Sequence, residues 1–283
     1  MKLLLASTAV LLLCRNLSAE PSTGCSEPKW SPDGTQIVYV EGHFPEGREV
    51  MIMNADGSGA KQLTSNTSAD EYPTLSPDRK TILFTSNRTG AWKLYLMDID
   101  GSNQRDLGVA STSSDPNDPC RADWSPDGKQ IVFPVTRSDG RFLHIVNLDG
   151  TGLHEIPNGR GIYPHWSRDG KSLVLYAQGN LHTVNTDGTD RKQVTQNDPK
   201  AETRPNYAQW SADGSAIYFL KGDHIFRINA DGTGEKQVTN IPSMKWYLGV
   251  STKGRMTYMC IEDKLDRIYV LESDGTGLKR VLK

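Results

Sequence analysis

An all-β fold, a six-bladed β-propeller of four-stranded antiparallel blades, is predicted by three observations. A phrase of the form Trp-Ser-Pro-Asp-Gly recurs along the 283 residues, a second Asp-Gly phrase alternates with it, and the period lies near 44 residues. That period is the size of one four-stranded blade. The first phrase stands at Trp30–Gly34 as WSPDG, then as LSPDR from Leu75, WSPDG from Trp124, WSRDG from Trp166, WSADG from Trp210 and VSTKG from Val250. Its serines are spaced by 45, 49, 42, 44 and 40 residues. The second phrase follows each copy, as NADGSGAKQLT from Asn54, NTDGTDRKQVT from Asn185 or NADGTGEKQVT from Asn229.

Each copy reads as four short strands. The residues just before the tryptophan form the innermost strand, and Asp-Gly is a strong hairpin signal because glycine accepts positive φ without steric penalty. Runs such as TQIVYV, TILFTS and KSLVLYA are β-branched and aromatic, which suits the second strand. EVMIMNADG and KLYLMDIDG supply the third, alternating up to the second turn, and AKQLT or RKQVT the outer edge, where lysine and arginine discourage pairing with another chain. The blades are expected at about 27–66, 70–109, 119–157, 162–196, 204–239 and 245–283. With an inner strand at one end of this array and an outer edge at the other, blades one and six are expected to pack without exchanging a strand. Tryptophan fills the wedge between neighbouring blades. Asp33 and Asp127 are accordingly read as turn formers, and the twelve turn phrases lack the spacing of oxygen ligands that a calcium loop needs.

Hydrophobic residues at 36% and charged residues at 23% describe a folded chain, and Gly 26 with Pro 15 supply the turns of an all-β protein. Residues 1–19, with Lys2 ahead of a short apolar run, read as a secretory signal peptide, and 20–26 as a short linker. A lipid anchor on Cys14 is the competing reading; it is disfavoured because Leu11, Leu12 and Leu13, none of them small, precede the cysteine. The expected location is periplasmic or secreted. Lys2 and Arg15 lie in the leader, so 30 basic and 34 acidic residues remain beyond it, a net −4. Such a balance argues against nucleic acid as partner. No later run is apolar enough to span a bilayer.

Three cysteines remain beyond the leader, Cys25, Cys120 and Cys260, and no two are spaced as a redox or zinc pair. One bridge, Cys25–Cys260, is expected from the placement of both toward one face. There is no G-x-S-x-G nucleophile elbow, which speaks against a peptidase.

The alternation of WSPDG, an apolar strand, DGTG and KQVT resembles the TolB-like β-propeller repeat of the WD-related class, over about Glu27 to Lys283. The resemblance implies the propeller fold. It leaves function open among Tol-Pal proteins, propeller domains of peptidases and metal-dependent oligogalacturonate lyases. With few residues between leader and first blade, the family's N-terminal α/β domain is expected to be missing.

Equivalent positions in six blades form rings about the axis. Three residues before the tryptophan position stand Glu27, Tyr72, Arg121, Tyr163, Tyr207 and Tyr247; one before it stand Lys29, Thr74, Asp123, His165, Gln209 and Gly249. The candidate binding set at the channel mouth is Glu27, Tyr72, Arg121, Asp123, Tyr163, His165, Tyr207, Gln209 and Tyr247. Tyrosine offers a flat face and a hydroxyl to a peptide or sugar at low entropic cost. The loops NTSADEYP, STSSDPNDPCRAD and NDPKAETRPNY lead into this region and are the most polar of the chain. The reading is a non-catalytic, cofactor-free, monomeric module for a protein or peptide partner or a glycan. The alternative is a lyase with a metal on Asp123, His165 and Gln209, as the resemblance to metal-dependent lyases implies.

Overall fold

The computed structural model describes residues 24–42, 47–109, 120–198, 200, 202–240, 245–262 and 265–282. The leader assigned to residues 1–19 lies outside them. Every regular element among the described residues is a β-strand, and the 24 strands form six four-stranded antiparallel sheets. Sheet one is β1 (Gly24–Trp30), β2 (Gln36–Gly42), β3 (Glu49–Asn54) and β4 (Lys61–Gln62). Sheets two to six repeat that order from inner strands β5 (Asp70–Leu75), β9 (Asp123–Trp124), β13 (Ile162–Trp166), β17 (Asn206–Trp210) and β21 (Lys245–Val250). Residues 24–26, read from sequence as linker, are the first three of β1. No described strand crosses between sheets: β1 pairs with β2, and β24 (Lys279–Leu282) with β23 (Leu265–Leu271).

The turn chemistry explains why the phrase recurs. In WSPDG the Gly34 amide donates to the Ser31 carbonyl at 2.9 Å, and Gly34 takes φ 68°. Asp33 accepts from the Ser31 hydroxyl at 2.7 Å and from the Thr35 amide at 3.2 Å. The turn is therefore longer than the two-residue Asp-Gly hairpin the sequence suggests. Proline sits at its second position, where φ is already set, and glycine at its fourth, where φ must be positive. Asp78, Asp127, Asp169 and Asp213 repeat the contact with Ser76, Ser125, Ser167 and Ser211. The aspartates are turn formers, as expected.

Six apolar clusters hold the sheets together, one per junction. Trp124 packs between sheets two and three with Leu83, Leu96 and Phe133; Trp166 between three and four; Trp210 between four and five. Leu75 and Val250 take the same place at two other junctions, and Trp30 at the seam of sheets one and six, against Ile268 and Val270. All are buried. The seam is also stitched by the Thr252 amide and hydroxyl, both donating to the Pro32 carbonyl, and by Arg255 over the Trp30 ring at 4.6 Å. The ring thus closes by packing, with blades one and six face to face.

Candidate functional site

Every full-length inner strand is interrupted at one place. The register shifts between Ser26 and Lys29, Glu71 and Thr74, Ile162 and His165, Asn206 and Gln209, and Trp246 and Gly249. Inside those shifts Glu27, Tyr72, Tyr163, Tyr207 and Tyr247 take φ of 58°, 53°, 56°, 52° and 58°. A bulge re-aims a side chain, and left-handed backbone on a bulky residue costs about 1–2 kcal/mol, so five repeats of it mark a constructed feature. The bulges turn these side chains toward the axis. Blade three differs: β9 has two residues, and Arg121 precedes it.

Arg121 fills the ring that the bulges build. Its guanidinium carbon lies 4.5, 4.3, 4.4 and 5.0 Å from the ring centres of Tyr72, Tyr163, Tyr207 and Tyr247. Tyr163 and Tyr207 are stacked, 5.9 Å apart at 7°. Arg121 also donates to the Tyr207 hydroxyl at 3.2 Å and the Tyr72 hydroxyl at 3.4 Å. A cation over an aromatic face gains about 0.5–2 kcal/mol, so four faces offset much of its desolvation. About 50 Å³ of free space remains at this level, too little for a sugar ring. Beside it, Arg48 lies 3.8 Å from Glu27 and 3.4 Å from Glu71. The Tyr72 amide donates to Glu27. Burial, and then the neighbouring Glu71 carboxylate, push the Glu27 carboxyl up to about 8.

One layer further along the axis, toward the Ser-Pro-Asp-Gly turns, the channel widens. A vestibule of about 300 Å³ opens there, with Lys29, Asp123, His165 and Gln209 at its inner end. Trp30, Trp124 and Trp166 line its wall, and Arg168 stands at its rim, donating to the Val250 carbonyl at 3.3 Å. Asp123 accepts from the Trp166 amide at 2.9 Å and lies 3.8 Å from His165 Nε2. Burial raises the Asp123 carboxyl to about 6 and lowers the Lys29 ammonium to about 8. Burial, then Lys29 and Arg168, hold the His165 imidazole well below its ordinary value, so it is neutral at pH 7. His165 Nδ1 and Arg168 Nε are buried without a hydrogen-bond partner.

All nine sequence-derived residues therefore gather on the axis, but in two layers with different character. Glu27, Tyr72, Arg121, Tyr163, Tyr207 and Tyr247 make the ring that leaves little free space, while Asp123, His165 and Gln209 lie at its border and line both that space and the vestibule. Arg168 escaped notice in the sequence. Its signal is the departure WSRDG: the equivalent positions hold Pro32, Pro77, Pro126, Ala212 and Thr252, so one blade alone presents a charge there. The expected Cys25–Cys260 bridge is corrected. Both are buried thiols, Cys25 in the seam cluster with Trp30, and Cys260 in the cluster between blades five and six, with Cys25 Sγ directed to the Asp266 carbonyl at 3.3 Å. Most of the loop STSSDPNDPCRAD lies outside the described residues, as do residues 199 and 201 of NDPKAETRPNY. Among the described residues, no group of three or more His, Cys, Asp or Glu is placed to hold a metal.

Residues 13–120 match the family described as TolB beta propeller domain. Over those residues the repeat is similar to that of the TolB β-propeller. Among curated relatives, the uncharacterized peptidase YuxL of Bacillus subtilis is 26% identical over 176 residues, which are 60% of this chain and 26% of the relative. Dipeptidyl-peptidase 5 of Porphyromonas gingivalis is 40% identical over 75 residues, 24% of this chain and 11% of the relative. The chain thus spans about a quarter or less of these relatives. Among solved structures, TolB from Acinetobacter baumannii has a TM-score of 0.67 at 16% identity, covering 94% of this chain and 65% of that one. The tricorn protease gives 0.72 at 15%, covering 92% and 26%. Oligogalacturonate lyase from Vibrio parahaemolyticus gives 0.60 at 15%, covering 93% and 78%. These likenesses establish a TolB-like propeller fold. No helix among the described residues is long and apolar enough to cross a membrane.

Proposed function

We propose that this protein is an exported, non-catalytic binding module that captures a protein or peptide partner, with glycans as the second ligand class, in the turn-side vestibule of its channel. The observation that carries the reading is the contrast between the two layers. The tyrosine faces are taken by Arg121, whereas the vestibule keeps about 300 Å³ of space lined by Lys29, His165 and Arg168 together with tryptophan walls. Apolar walls with a few convergent polar groups are the ordinary makeup of a ligand site. Export rests on the leader-like residues 1–19, and periplasmic or extracellular residence follows from it. Cys25 is compatible with that location as a buried thiol, since burial, then the Asp266 carboxylate, push it up to about 12 and lower its thiolate fraction.

A metal-dependent polysaccharide lyase would need a divalent ion between Asp123, His165 and Gln209. The donors do not fit one. Asp123 supplies the single negative charge, its carboxylate already accepts the Trp166 amide, and Lys29 and Arg168 stand beside it as cations. The test is a peptide and glycan array probed with the wild type and with His165→Ala and Arg168→Ala, together with metal analysis. Captured ligands should be lost from both variants while the melting curve persists, and metal should stay well below one equivalent. A stoichiometric metal that disappears in His165→Ala would overturn the reading.

A further inference from the structure

We propose that the groove between blades three and four is a second binding site, outside the channel, for a tetrahedral oxyanion: phosphate or sulfate, free or as a monoester. The groove has a volume of about 340 Å³ and is walled by Arg141, Arg160 and Arg191, with Tyr176 and Gln178 opposite. Arg160 and Arg191 bring two guanidinium groups to this groove although the chain as a whole carries a net charge of −2.

The engagement of Arg160 and Arg191 is the decisive feature. Arg160 donates to the Asp139 carbonyl at 2.7 Å, and Arg191 donates to the carbonyls of Asn158 and Arg160, the latter at 3.0 Å. Neither meets a carboxylate among the described residues. Of the acids on adjoining segments, Glu155 pairs with Arg137 at 2.6 Å and Asp190 with Lys192 at 2.9 Å, and Asp139 meets Arg160 through its backbone carbonyl. The carbonyl contacts fix the two side chains in place yet leave their charge uncompensated, and each guanidinium keeps further N–H groups for a ligand. Arg191 is also held below its ordinary value by burial alone, which an approaching anion would relieve.

Glycine makes room for this arrangement. A Cβ at Gly140 would meet Nε and Nη2 of Arg160 at 3.0 Å, so the guanidinium lies directly on the Gly140 backbone. At Gly161 a Cβ would come within 2.5 Å of Leu175 Cδ1. The planar guanidinium fork matches two oxygens of a tetrahedral oxyanion at once, which a single carboxylate facing two such forks cannot supply.

The test is calorimetric titration of the whole chain at low ionic strength with sodium phosphate, sodium sulfate and sodium acetate. Phosphate and sulfate should saturate one site and acetate should bind more weakly. Arg160→Gln and Arg191→Gln should each weaken phosphate by about tenfold or more. Arg160→Lys and Arg191→Lys keep the charge and lose the fork, so they should fall between wild type and the Gln variants; they also serve where a Gln variant fails to fold. Arg137→Gln, on a neighbouring arginine already paired with Glu155, should stay within about twofold of wild type. The proposal is overturned if the wild type shows no saturable phosphate or sulfate binding, if acetate binds as tightly, or if Arg137→Gln loses as much as Arg160→Gln.

Discussion

Glu27 and Arg121 show how much a single position in a ring departs from its neighbours. Both sit where other blades place tyrosine. One is a carboxyl that burial and Glu71 push up to about 8, and the other is a cation caged by four rings. The Glu27 shift has a direction in pH. An unfolded glutamate loses its proton near its ordinary value of about 4.5, while the folded one holds it to about 8. The fold is therefore penalised progressively between those limits, fully above the upper one. Thermal midpoints should fall from pH 5 to pH 9, and Glu27→Gln should flatten that fall; an unchanged slope in the variant would assign the effect to other groups. Ring membership of both residues was legible from their offset to the tryptophan. The plug was not, because an offset gives height along the axis and angle around it, but not how far a side chain reaches inward. Arg121 reaches the centre because blade three begins its inner strand late, at Asp123.

Among elements, the inner strand and its turn are where one phrase does two jobs. The tryptophan closes a junction between blades, and Ser-Pro-Asp-Gly reverses the chain beside it. Trp124, Trp166 and Trp210 share their position with the purely apolar Leu75 and Val250, and all five are buried. Each tryptophan changed to alanine should lose about 3–5 kcal/mol in denaturant melts. Losses under about 1 kcal/mol would mean that these rings serve the vestibule and not the core. Asp127→Ala should lose only about 1 kcal/mol, since it removes contacts with the Ser125 hydroxyl and the Lys129 amide in an exposed turn. Strand order and the outer edges were readable from period and turn residues. The bulges were not, because tyrosine is a strand former by propensity and nothing in its identity announces positive φ.

Across the whole molecule, the seam between blades one and six is the one junction not spanned by a chain connection. It relies on the cluster around Trp30, the contacts of Thr252 with Pro32 and the Arg255–Trp30 stack. Hydrogen exchange should therefore begin in β1 and in the last blade, from β21 to β24, and reach β13 and the two strands after it, Ser172–Ala177 and Asn180–Asn185, last. Equal protection around the ring would show that the seam is as strong as a covalently linked junction. Closure was legible at this scale, since six copies of a phrase with an inner strand first and an outer edge last need no exchanged strand. The thiols were misjudged because sequence offsets put Cys25 and Cys260 in neighbouring blades without revealing that different apolar clusters hold them. The function proposed for the molecule rests on the contrast between the ring that Arg121 fills and the wider vestibule on the turn side. The most direct measurement is the hydrogen-exchange footprint of a captured ligand. Protection should appear at residues 30–33, 165–168 and 250–252, around the vestibule. Protection confined to the strand starts at 70–72 and 206–207, with the turns unaffected, would contradict the account.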